Sequence, residues 1–102
     1  MTAYIIAFVR FQDLEAYNRE YLAAAHPIVT RHGGTALVVS ENIKVLEGTF
    51  PRGRVVIVEF PSMSHAEAFY ADPDYQPLIE IRNKYTQSDS AIVEKGFSPA
   101  DL

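Results

Sequence analysis

The chain has 102 residues, 48% hydrophobic and 22% charged, with a formal net charge of −4, which is the composition of one ordinary globular domain. The negative balance argues against a nucleic-acid partner, which needs a basic stripe to displace phosphate counterions, and the absence of Cys excludes disulfides, thiolate catalysis and zinc ribbons. The apolar start "MTAYIIAFVRFQD" meets Arg10 and Asp13 within one strand's length, lacks a basic leader region and a cleavage site, and is too short to span a bilayer. A cytoplasmic protein with no membrane partner is expected.

"AYIIAFVRF" is rich in β-branched and aromatic residues and predicts a strand over about 3–11. From Asp13 the period turns helical: at about 100° per residue, Leu14, Tyr17, Tyr21, Ala24, Ala25, Ile28 and His32 share one side. Asp13 is the expected N-cap and Gly33 the left-handed stop, giving a helix over about 14–32. Pro27 falls on its polar side, where a missing N–H faces solvent and bends rather than breaks the helix. "TALVVS" (35–40) and "IKVLEG" (43–48) are short extended runs, "TFPRG" a turn, and "RVVIVEF" (54–60) the strongest strand. "PSMSHAEAFYA" opens a second helix, with Ser64 and Glu67 as its expected capping box. That helix breaks near Pro73-Pro77 and resumes from Pro77 to about Tyr85. "SAIVEKGF" (90–97) is the last strand. One domain is expected over 1–97, with "SPADL" (98–102) as a C-terminal tail.

The order β-α-β-β-α-β predicts a ferredoxin-like α+β fold, a four-stranded antiparallel sheet with two helices on one face. In "YIIAFV" and "VVIVEF" both alternating faces are apolar, which means both faces are covered. Two helices cover only one face of such a sheet. The other is expected to meet the same face of a second copy, so the protein's expected partner is itself, as a homodimer.

Together with a Tyr-containing first strand, the stretches "YNREYLAAAHPIVTRHGGTALV", "LEG", "RVVIVEFPSMSHAEAFYADPDYQPLIEIR" and "EKGF" resemble the family called domain of unknown function 1330. The likeness runs from about Thr2 to Phe97. It implies a dimeric α+β barrel in which two ferredoxin-like sheets pack face to face. The wider superfamily contains cofactor-independent monooxygenases, muconolactone isomerase-like enzymes and haem-degrading enzymes, and any transfer of those activities is fold analogy alone.

Arg82 falls at the centre of the apolar stripe formed by Tyr75, Leu78, Ile79 and Tyr85. A buried guanidinium stays charged and needs a partner. Glu59, the one acid in "RVVIVEF", is the expected internal partner; a ligand carboxylate is the other reading, suited to the planar fork of Arg. Tyr17, Tyr21, Tyr70, Tyr75 and Tyr85 all lie on core-facing stripes. Packing explains them, yet phenols converging near Arg82 also build a mostly apolar small-molecule pocket. Tyr17, Tyr21, Tyr75 and Arg82 are therefore the candidate ligand-binding residues, with His26, His32 and Glu59 the candidates for moving a proton. His26 and His32 are six apart and cannot share a helix face, so no metal set forms. No cofactor is expected, because no nucleotide, flavin or nicotinamide motif is present. The expected function is binding of a small anionic or partly aromatic metabolite in a helix–sheet pocket, extending to cofactor-independent monooxygenase-, isomerase- or lyase-like chemistry. The alternative is a non-catalytic dimeric binding or sensing module with a purely structural Arg82–Glu59 pair.

Overall fold

The computed structural model describes residues 1–97 and 100; most of the expected tail, 98–102, lies outside the described residues. The order is β1 (Ala3–Phe11), α1 (Leu14–Tyr17), a π-helical turn (Asn18–Leu22), α2 (Ala23–Arg31), β2 (Thr35–Ser40), β3 (Arg54–Phe60), α3 (Met63–Ala71), α4 (Gln76–Tyr85) and β4 (Thr86–Glu94). The strands form one sheet in the order β2-β3-β1-β4, antiparallel throughout. This is the ferredoxin-like α+β arrangement, with the helices on one face and the second helical region broken where the proline pair predicts.

The first helical region starts where Asp13 accepts the Ala16 amide at 3.0 Å. It runs without a break through the exposed Pro27 and stops at Gly33, whose φ is +78°. Gly34 N–H donates to Val29 O and Gly33 N–H to Thr30 O, the paired bonds of a Schellman stop. A Cβ on Gly34 would come within 2.5 Å of Val29 Cγ1 and 2.8 Å of Phe60 Cε1, so the second glycine lets the helix end close onto β3. The core lies between the helices and this face of the sheet. Tyr17, Tyr21, Ile28, Phe60, Phe69 and Tyr75 are among its buried members.

Three local expectations are corrected. Residues 43–48 form no strand: an extended run becomes a strand only by pairing, and Val45 and Leu46 stay exposed instead. The cap of α3 is Ser62, which accepts the His65 amide at 3.2 Å, rather than Ser64. The last strand spans Thr86–Glu94 instead of 90–97 and follows α4 without a loop. Residues 86–89 are polar and carry no apolar alternation, but β4 is an edge strand, where polar side chains can face water while the backbone pairs with β1.

Strand parity divides the sheet. Ile5, Ala7, Val9, Val56, Val58 and Phe60 face the helices. Tyr4, Ile6, Phe8, Val55, Ile57 and Glu59 alternate with them and lie on the helix-free face. Among the described residues, no helix is long and apolar enough to cross a membrane.

Candidate functional site

Between the helices and β1–β3–β4 lies a small cavity of about 90 Å³, walled by apolar strand side chains, tyrosines and Arg82. Its polar end is assembled from three elements. The π-turn carries Tyr21, with Tyr17 just before it; their rings stack at 5.0 Å between centroids. A π-turn widens the helix locally and recurs at functional sites, and here both phenols reach the sheet side. The break between α3 and α4 supplies Tyr75, held against Phe69 with centroids 4.4 Å apart and ring planes tilted at 42°. Two turns further on, the same face of α4 presents Arg82.

The polar atoms form one cluster. The Tyr21 and Tyr75 hydroxyls lie 2.8 Å apart, and Arg82 donates through a terminal nitrogen to the Tyr75 oxygen at 3.0 Å. The Arg82 Nε is sealed from solvent and has no hydrogen-bond partner among the described residues. A proton count then defines the chemistry. Two phenols carry two protons, the link between them uses one, and Arg82 can only donate. One phenolic O–H and the Arg82 Nε–H therefore have no acceptor within this cluster. Burial pushes the Tyr75 hydroxyl far above the ordinary phenol range, with Tyr21 adding to the effect. Burial also raises Tyr21 and Tyr17, opposed in part by the Tyr75 hydrogen bond and by Arg54 respectively. These phenols hold their protons and act as donors, not bases. Burial opposes the Arg82 charge, but Tyr75, Tyr70 and Tyr21 more than offset this and hold its pKa above the ordinary guanidinium value.

Tyr17, Tyr21, Tyr75 and Arg82 thus converge on one cavity. The three proton-moving candidates do not join them. Glu59 follows the opposite strand parity, with Tyr4 as its cross-strand neighbour on the helix-free face, so the expected Arg82–Glu59 bridge does not form. The adjacent Phe60 already carried that signal, since neighbours in a strand face opposite sides. His26 is exposed on α2. His32 sits at the α2 terminus, its Nε2 2.7 Å from Asp72 Oδ2. Arg31 reaches the same Asp72 oxygen at 3.1 Å and Asp74 at 3.0 Å, while Asp72 Oδ1 accepts the Asp74 amide at 2.8 Å. This cluster clasps the α2 end to the α3–α4 break and lies outside the cavity. Sequence reasoning did not select Ser88 and Ser90, the polar lining that β4 contributes. They are small polar residues at the start of the last strand, where nothing in their spacing marks a cavity wall.

The fold and cavity define a ferredoxin-like α+β protein with a donor-rich pocket between its helices and sheet. The chain belongs to the family described as Domain of unknown function (DUF1330), whose model matches residues 2–96. No curated protein matches the sequence. Among solved structures, it is similar to the RPA0582 protein of unknown function from Rhodopseudomonas palustris, at 21% identity and TM-score 0.76 over 96% of this chain and 84% of that one. It is also similar to SnoaB, a cofactor-independent oxygenase from Streptomyces nogalater, at 10% identity and TM-score 0.63 over 96% of each chain. An uncharacterised NIPSNAP domain protein from Burkholderia xenovorans aligns at 16% identity and TM-score 0.57, covering 97% of this chain and 99% of that one. At these identities the likeness establishes the fold.

Proposed function

We propose that the protein is a homodimer in which each protomer binds a small anionic, partly apolar metabolite in the helix–sheet cavity. The observation that carries this reading is Arg82. Its charge lies inside a tyrosine-walled cavity, its Nε is sealed without a hydrogen-bond partner among the described residues, and its protein partner is a neutral phenol. A guanidinium held this way lacks a counter-anion, and a ligand carboxylate or enolate supplies one with matching geometry. The unused phenolic proton and the Nε–H are both donors, which suits an acceptor-only oxygen group. The alternative, a non-catalytic module with a structural Arg82–Glu59 pair, is less well supported, because Glu59 lies on the opposite strand parity.

Chemistry on the bound anion is the second layer of the proposal. Fixed donors aimed at an oxyanion stabilise charge that develops there without a cofactor, and the fold likeness to a cofactor-independent oxygenase points the same way. Among the described residues, no carboxylate or imidazole lines the cavity, so a substrate entering already ionised suits it better than one that must be deprotonated by His26, His32 or Glu59.

Arg82→Met tests the binding reading. Its unbranched apolar chain replaces the stem and leaves no charge to bury. The variant should fold, keep its melting temperature within a few degrees, and lose the thermal stabilisation that carboxylates give the wild type. Collapse of the fold in Arg82→Met, with carboxylates leaving the wild-type melting temperature unmoved, would return Arg82 to a structural role.

A further inference from the structure

A second concavity opens beside the first. It is an outer cleft of about 440 Å³ between the C-terminal half of α3, Gln76 and β4. The two spaces share Ile5, Tyr70 and Ser90 as lining residues, so they meet at one wall, with the Tyr70 ring standing 5.7 Å from that of Tyr75.

The volumes divide the roles. Small-molecule pockets hold roughly 300–1,000 Å³. The inner cavity, at about 90 Å³, is less than a third of that lower bound. That space takes the charged head of a ligand, and the rest of a metabolite-sized molecule needs room elsewhere. The inner chamber holds the Arg82–Tyr75–Tyr21 donors, whereas the outer cleft is floored by Ile5, Ile92 and Ala71 and carries one carboxylate, Glu67. Charge recognition therefore sits inside and apolar surface outside, with a shared wall between them.

We infer that the two spaces form one bipartite site for an elongated monocarboxylate. Its carboxylate sits at Arg82 and its apolar body passes Tyr70 into the outer cleft, so that Tyr70 and Ala71 set ligand length. This rests on the anion-binding reading above and extends it to a ligand class. Glu67 lines the outer cleft and repels a second acid there, so the outer part of the ligand is neutral or cationic.

The test uses the full chain and three probes: acetate, 4-phenylbutanoate and 4-phenylbutan-1-ol, with affinity read by calorimetry or by melting-temperature shift. The expected result is that 4-phenylbutanoate binds at least tenfold more tightly than acetate and than the alcohol. Ala71→Trp fills the outer cleft from an exposed helix end. It should abolish the gain over acetate while leaving acetate binding intact. Equal affinities for the two acids, or a gain that survives Ala71→Trp, would overturn the bipartite site and leave the anion site standing. An alcohol that binds as tightly as the acid, or no binding of either acid, would overturn both.

Discussion

Tyr75 is the residue on which the cavity's polar network depends. It is 2% exposed, and its hydroxyl touches both Arg82 and Tyr21. Removing that hydroxyl takes a hydrogen-bond partner from both a charged donor and a phenol. Removing the Tyr21 hydroxyl leaves Tyr75 still accepting from Arg82, so the number of unpaired donors does not rise. Stranding a buried donor costs about 1–3 kcal/mol, whereas a satisfied neutral hydrogen bond contributes about 0.5–1.5 kcal/mol net. Tyr75→Phe should therefore destabilise the fold by about 2 kcal/mol more than a bare methyl-scale change, and clearly more than Tyr21→Phe, in paired denaturant titrations. Equal costs would mean the network is not organised around Tyr75. The same residues set an alkaline limit. The folded-state pKa values of Tyr75, Tyr21 and Tyr17 lie above the unfolded value of 10.0. Their contribution to stability is whole below that pH and is lost as pH climbs past it. Ultraviolet titration should show these three phenolates appearing together with loss of helical circular dichroism, and their appearance in a still-folded chain would contradict the burial assigned to them.

At the scale of elements, the break between α3 and α4 is held by Asp72. Its carboxylate is 9% exposed and accepts from His32, Arg31 and the Asp74 amide. The His32 hydrogen bond, the Asp74 amide and the Arg31 charge together outweigh burial and hold its pKa below the usual carboxylate value of 3.8. A lowered carboxylate stabilises the fold above that value and ceases to do so as pH falls through the folded one. Asp72→Asn should lower the melting temperature at neutral pH, and the gap to the wild type should close below about pH 4. A gap that stays constant down to strong acid would show that the ionised form is not what matters. The position of this break was legible, because Pro73 and Pro77 cannot both lie inside one helix. What holds it was not, since a contact across 40 residues leaves no periodic trace. The π-turn was equally hidden: one widened turn shifts no hydrophobic position enough to disturb a helical wheel. Tyr17, Tyr21, Tyr75 and Arg82 could be gathered from helix stripes alone, whereas Glu59 was paired with Arg82 as the one acid of a strand the helices cover, although its parity places it on the other face. The edge strand β4 and the unpaired run 43–48 mark the same limit, because polarity and alternation do not report which strands find partners.

For the whole molecule, one sheet face is covered and the other is open. The Cα trace measures 45 × 35 × 16 Å, a slab one sheet and one helix layer thick. Its radius of gyration is 14.4 Å, above the ~13 Å expected of a compact chain of about 100 residues. The open face is apolar at its centre, where Ile6 pairs with Ile57 and Phe8 with Val55. Val93 and Val38 extend it at 45% and 37% exposure. Its charges lie toward the margin, with Arg10 bridged to Asp89 at 3.0 Å. An apolar centre within a polar rim is the anatomy of a protein interface, and identical faces meeting about a two-fold axis need no second gene product. Sedimentation at micromolar concentration should return twice the 11.4 kDa chain mass. Val93→Asp adds a charge on the edge strand, where the monomer tolerates it, and Ile57→Asp adds one at the centre. Both should shift the mass toward one copy, Ile57→Asp more strongly, and far-ultraviolet circular dichroism separates dissociation from unfolding. If the wild type sediments as a single copy, the apolar face has some other occupant. If it sediments as a dimer that both substitutions leave intact, the copies meet through a different surface and the open sheet face does not join them.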